Sequence, residues 1–219
     1  MRIWLVLLSG LALGACSVLP SGSGEQATSR APSQAVVSSP EGQQCLARLG
    51  STGSRFSPLP DRYFGAGCSQ LNTVSVASLQ GDQAPLSITN LGPVTCPTAD
   101  TLSGWARFGV DRAARQILGS PLQRIETMGS YACRNVAGSS RRSAHSRAEA
   151  VDVSGFVLQD GRRITVLEDW NGGSREEREF LRVIQRSACK RFGTVLGPDY
   201  NAAHRDHLHL ELGRSSFCR

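Results

Sequence analysis

Hydrophobic positions recur at helical spacing in two stretches of the chain and at strand spacing in several others. Leu102, Trp105, Val110, Ala113, Ala114 and Ile117 share one helical face, with Asp100 or Thr101 available as the N-cap. Ser174-Arg175-Glu176-Glu177 is a capping box opening a second helix that runs to about residue 192, with Phe180, Val183, Ile184 and Ala188 turned inward. Residues 123–131 read as extended. Residues 150–158, Asp160-Gly161 and residues 163–167 have the signature of a hairpin, and residues 207–212 alternate as the last strand. Between Cys45 and Cys96 the chain is rich in Gly, Ser and Pro with weak periodicity, which predicts short strands and loops. The sum is an α+β domain in which helices pack on a small, mostly antiparallel sheet.

The start of the chain has another character. Met1-Arg2 is followed by an apolar run over residues 3–12, too short for the roughly 20 residues of a spanning helix. With the small residues that follow, it reads as a signal peptide over residues 1–15. Leu13-Gly14-Ala15-Cys16 resembles the bacterial lipobox, which makes Cys16 the acylated N-terminus and the membrane anchor. Ser17 in place of Asp implies, by the sorting rule for such lipoproteins, outer-membrane residence facing the periplasm. Residues 16–44 are rich in Ser, Gly, Ala, Gln and Pro and read as a flexible tether, leaving residues 45–219 as the domain.

Composition narrows the function classes. A chain of 219 residues, 40% apolar and 19% charged, is one globular domain with extensions rather than a fibre or a polytopic membrane protein. The net charge of +6 favours anionic partners, but the arginines are scattered and aromatics make up only 6%. No basic stripe interleaved with stacking rings stands out, so nucleic acid is not an expected partner. Setting Cys16 aside, six cysteines remain: Cys45, Cys68, Cys96, Cys133, Cys189 and Cys218. In an exported chain they predict three disulfides. Many connectivities are open; spacing favours Cys45 with Cys68, Cys96 with Cys133, and Cys189 with Cys218. The even count argues against a nucleophilic Cys133 working with His145.

Three of the four histidines lie within His204-Arg205-Asp206-His207-Leu208-His209. In a strand, His207, His209 and Glu211 would share one face while Leu208, Leu210 and Leu212 enter the core. Asp152 sits between Val151 and Val153 in an apolar strand, where a bare carboxylate is expensive and a metal would neutralise it. Hydrolytic zinc sites use three nitrogen and oxygen ligands and leave a position for water. His145, Asp152 and His209 can supply that set.

Cys96-Pro97, the Trp105 helix, Gly129-Ser130-Tyr131-Ala132-Cys133-Arg134, Ser143-Ala144-His145, Ala150-Val151-Asp152, Asp169-Trp170, Val195-Leu196-Gly197-Pro198 and the histidine cluster resemble the bacterial extensin-like C-terminal domain family. That domain is similar to zinc D-alanyl-D-alanine peptidases and related peptidoglycan peptidases. The resemblance implies Zn2+ held by His145, Asp152 and His209, with Asp206 as general base and His204 hydrogen-bonding near the reacting centre. It makes His207 the first member of the His-x-His pair and Arg134 a binder of substrate oxygen. Ala148 stands where many of the peptidases have glycine, two residues separate Tyr131 from Arg134, and the base is Asp rather than the Glu of the dipeptidase branch. Asp169-Trp170-Asn171-Gly172-Gly173 reads as a loop shaping the cleft. The expected function is a lipid-anchored zinc peptidase acting on peptidoglycan peptides, with an unidentified envelope protein as a further partner. The alternative is a noncatalytic peptidoglycan-binding module, for which Asp206 and His204 would be dispensable.

Overall fold

The computed structural model describes residues 39–213 and 215–219. The signal peptide, Cys16 and the tether as far as residue 38 lie outside the described residues. Helix α1, Pro40–Ser51, opens the fold: the Ser39 hydroxyl accepts from Gly42 N–H, Pro40 sits in the first turn, and Cys45 and Leu49 are buried. Pro40 to Gln44, expected at the end of the tether, are therefore helical. A proline pre-set for the first helical turn looks like linker when it is read without its cap.

Strands β1 (Arg55–Pro58), β4 (Thr73–Gln80), β5 (Pro85–Thr89), β7 (Leu122–Gly129), β8 (Ala150–Leu158), β11 (Leu208–Glu211), β10 (Thr194–Leu196) and β12 (Phe217–Cys218) lie side by side in that order. β6 (Val94–Thr95) pairs with β4 and β9 (Arg163–Thr165) with β8, while β2 (Arg62–Gly65) and β3 (Cys68–Gln70) form a separate hairpin. The expected small sheet is thus a ten-stranded one. It is also mixed, because β5 runs parallel to β7 and β10 parallel to β12. Most of the added strands are too short to show alternation, so their pairing comes from their neighbours.

One face of the sheet is covered by α2 (Cys96–Trp105), which continues in wider π-type turns to Leu118, and by α4 (Arg175–Cys189). α4 begins with the expected capping box between Ser174 and Glu177. Trp105, fully buried, donates its indole N–H to the Ile184 carbonyl (3.0 Å), and its ring meets Phe156 edge-on; Phe156 in turn meets Phe180 at right angles. Gly109 is required here, since a Cβ would run into Ser187 of α4 and the Trp105 ring.

α3, Val166–Gly172, occupies the segment expected as a cleft loop. The Thr165 hydroxyl accepts from Glu168 N–H and the Asp169 carboxylate accepts from Thr165 N–H, so the helix is capped from both sides. The glycines only end it. Trp170 is buried, with its N–H on Asp199 and the Arg182 guanidinium over its ring.

The three disulfides are Cys45–Cys96, Cys68–Cys133 and Cys189–Cys218. The last is the expected pair; the first two exchange partners relative to sequence proximity. α1 packs on α2 and turns Cys45 toward Cys96, while the β2–β3 hairpin carries Cys68 to the segment after β7. Cys133 is bonded and is not available as a nucleophile. Peptide mapping of the unreduced protein should recover these three linkages and no free thiol among the six. A Cys45–Cys68 peptide would contradict the packing of α1 on α2. The loops closed by the first two bridges span 51 and 65 residues, for which chain entropy gives about 4 kcal/mol each.

Candidate metal centre

Asp152 lies on β8 and His209 on β11, and the antiparallel register places them directly opposite each other. Their neighbours Val151, Val153, Leu208 and Leu210 are fully buried in the core, so alternation turns Asp152 and His209 to the other face. His145 enters from a 3-10 turn, Ala144–Arg147, whose first turn is capped by the Ser143 hydroxyl. The turn ends at Ala148 in the left-handed conformation (φ 56°), where its N–H bonds the His145 carbonyl. A left-handed position is a natural place for glycine, which gives the Ala148 departure a local cause.

His145 Nε2 is 3.2 Å from Asp152 Oδ1 and 3.1 Å from His209 Nδ1, and His209 Nδ1 is 2.9 Å from Asp152 Oδ1. These are the ligand atoms of the one group of three or more potential metal-binding side chains among the described residues. The outer nitrogens are also engaged: His145 Nδ1 meets the Ser130 carbonyl and His209 Nε2 meets Glu211 Oε2. A carbonyl and a carboxylate only accept hydrogen bonds, so those nitrogens carry protons and donate. The inner nitrogens are left with lone pairs directed at each other and at a carboxylate. Such a convergence is stable only around a cation, either a proton or a metal ion.

With protons instead of a metal on the inner nitrogens, the electrostatics are those of a charged cluster. Burial alone would raise the Asp152 carboxyl, yet the hydrogen bonds from His145 and His209 hold it well below the usual carboxylate range. Burial likewise disfavours charge on His209, but its bonds to Asp152 and Glu211 prevail and push it up to about 9.

The remaining expected site residues gather around this trio. Asp206 accepts from His207 Nδ1 (2.9 Å), while His207 Nε2 lies 3.6 Å from Asp152 Oδ1. An imidazole thus stands between Asp206 and the centre. The His204 ring packs against those of His207 and His209, with centroids 5.1 and 5.9 Å away. Its Nδ1 donates to Asn201 Oδ1, which also accepts from Ala203 N–H. Burial and the neighbouring histidines push His204 down to about 4, so it is neutral near pH 7. The Arg134 guanidinium, half exposed, comes within 4.0 Å of Asp152 Oδ2 at the rim. Its chain position is held by the adjacent Cys68–Cys133 bridge and by Ser143 N–H on its carbonyl.

The Ser130 carbonyl and Asn201 were not among the expected site residues. A backbone carbonyl has no sequence signature, and Asn201 reads as an ordinary turn cap. Glu211 was legible as sharing a strand face with His209, but not as the partner of its outer nitrogen.

The profile of a protein family described as "Extensin-like protein C-terminus" matches residues 43–219. No curated protein and no solved structure matches the chain.

Proposed function

The chain belongs to the extensin-like C-terminal family, and from that premise we propose a cell-envelope zinc peptidase that hydrolyses peptide bonds in peptidoglycan stems or cross-links. The observation that carries this reading is the convergence of two imidazole nitrogens and one carboxylate oxygen, each imidazole oriented from behind by an acceptor. Donors around a tetrahedral zinc are about 3.3 Å apart, given bonds of about 2.0–2.1 Å; the separations of 2.9, 3.1 and 3.2 Å support the fit. Zinc held by His145, Asp152 and His209 would supply Lewis acidity and water activation at neutral pH.

The other roles follow from position. Asp206 fixes the Nδ1 proton of His207, leaving Nε2 turned toward the centre; the pair accepts a proton from attacking water and returns it to the leaving amine. Arg134 offsets negative charge on the scissile carbonyl oxygen or on a substrate carboxylate. His204, with its Nδ1 proton on Asn201, offers Nε2 as an acceptor beside the same space. Elemental analysis combined with a digest of purified wall peptides tests the reading. Bound zinc and newly formed peptide ends are the expected result, whereas zinc with no cleavage would favour the wall-binding alternative.

The same proposal puts the domain on a membrane through Cys16, and its three disulfides suit an oxidising compartment. Cys16→Ser should move the protein from the membrane fraction to the soluble one with the domain still folded. Mutant protein that still sediments with membranes would remove Cys16 as the anchor.

A further inference from the structure

A small cleft of about 170 Å³ adjoins the metal centre, with Asp206 common to both. Its floor comes from two irregularities in the strand pair that carries Asp152. Glu126 pairs with Gly155 and Thr127 with Val153, which leaves Ser154 unpaired; Thr127 pairs with Val153 and Gly129 with Asp152, which leaves Met128 unpaired. Such bulges re-aim side chains beside functional sites. Ser154 and Met128 both face the cleft, and α3 supplies Leu167 and Glu168 as the far wall. The volume falls below the roughly 300 Å³ at which pockets begin to enclose a whole small molecule, and suits one side chain.

Two features define what the cleft would hold. Met128 and Leu167 are 51% and 58% exposed, an apolar pair left open to solvent beside a polar centre. The charges are unbalanced. Arg163 is engaged by Glu126 at 2.7 Å, and Asp206 by His207, but the Glu168 carboxylate has no hydrogen-bond or ion-pair partner among the described residues. An apolar stem lying across Met128 and Leu167 would deliver a terminal positive charge to Glu168.

We propose that this cleft is a specificity subsite for a substrate residue whose aliphatic side chain ends in an ammonium group, with Met128 and Leu167 contacting the stem and Glu168 pairing with the charge. The proposal rests on the peptidase reading for the identity of the main chain, but its selectivity comes from residues that take no part in holding the metal. Arg163 is tied to Glu126, which also meets Arg124 at 3.5 Å, so its charge is only partly offset; Glu168 together with Asp206 still leaves the lining of the cleft net negative. An uncharged isostere would gain the stem contacts and forgo the ion pair.

The test uses wall-type peptides carrying lysine, norleucine or glutamate beside the scissile bond, together with non-hydrolysable analogues of each. With the full-length protein, the lysine analogue should bind about 5- to 10-fold more tightly than the norleucine analogue, and the preference should shrink as salt is raised. Glu168→Gln should bring that ratio near unity, Glu168→Lys should turn the preference toward glutamate, and Leu167→Ala should weaken lysine and norleucine alike. Equal binding of lysine and norleucine by the wild type, failure to bind any analogue, or an undiminished preference in Glu168→Gln overturns the subsite. Cleavage of all three peptides without charge preference would remove the subsite and leave the peptidase standing. Charge-selective binding with no cleavage would keep the subsite and count against the peptidase.

Discussion

Alanine at His145, Asp152 or His209 is expected to abolish zinc binding, whereas Asp206→Ala keeps the zinc and loses turnover. Each of the first three changes takes one donor from a set of three whose atoms lie within 4.8 Å of one another, and a two-donor site no longer defines a closed coordination geometry. Asp206 is outside that set and meets it only through His207. Its loss frees the His207 ring and removes the carboxylate behind the proton acceptor, a change typically worth about 10²- to 10⁴-fold in rate. Zinc content by elemental analysis and cleavage of wall peptides, measured on the same samples, separate the two effects. Asp206→Ala with wild-type turnover would move the proton-transfer role elsewhere, and zinc retained by Asp152→Ala would undo the ligand set. His207→Ala should resemble Asp206→Ala, since the imidazole is the nearer member of the pair.

The largest expected loss of stability is at Trp105. Trp105→Ala should destabilise the domain by about 3–5 kcal/mol, the usual cost of emptying a fully buried aromatic site. For a domain of this size that corresponds to a melting temperature lower by about 10 °C. The indole fills the space between α2, α4 and Phe156, and its N–H joins the two helices through the Ile184 carbonyl. Trp105→Phe restores part of the volume without the hydrogen bond and should fall between wild type and alanine. Denaturation midpoints give the ranking, and zinc content at low temperature should stay at the wild-type level, because the ring packs on Phe156 and Ile184 and not on the centre. An alanine variant as stable as wild type would mean that the helices hold together without this contact.

Local chemistry was readable along the chain wherever a few consecutive residues decide the outcome. The Ser174–Glu177 box makes its reciprocal bonds, the Trp105 segment is helical, residues 150–158 form the strand that carries Asp152, and six cysteines make three bridges. The clustered histidines also flagged the centre, because hydrophobic neighbours on β8 and β11 fix which way Asp152 and His209 must point. These are short-range consequences of capping, periodicity and side-chain type.

What depends on distant parts of the chain meeting had no such signal. Cys45 pairs with Cys96 because α1 packs on α2, and proximity in sequence says nothing about that packing. The short strands joined the ten-stranded sheet through backbone bonds to neighbours, whose donors and acceptors are the same for every residue. The unpaired residue Ser154 shifts the alternation along β8, so that Asp152 faces the centre while Phe156, an even number of residues further on, enters the core. His207 came to stand between Asp206 and Asp152, and the Ser130 carbonyl and Glu211 came to orient the imidazoles, only once β7, β8, β11 and the His145 turn were assembled. Side-chain identity along the chain determined which groups could do chemistry; tertiary structure decided which lone pairs face one another, because hydrogen-bond direction and strand register are properties of pairs of segments and not of either segment alone.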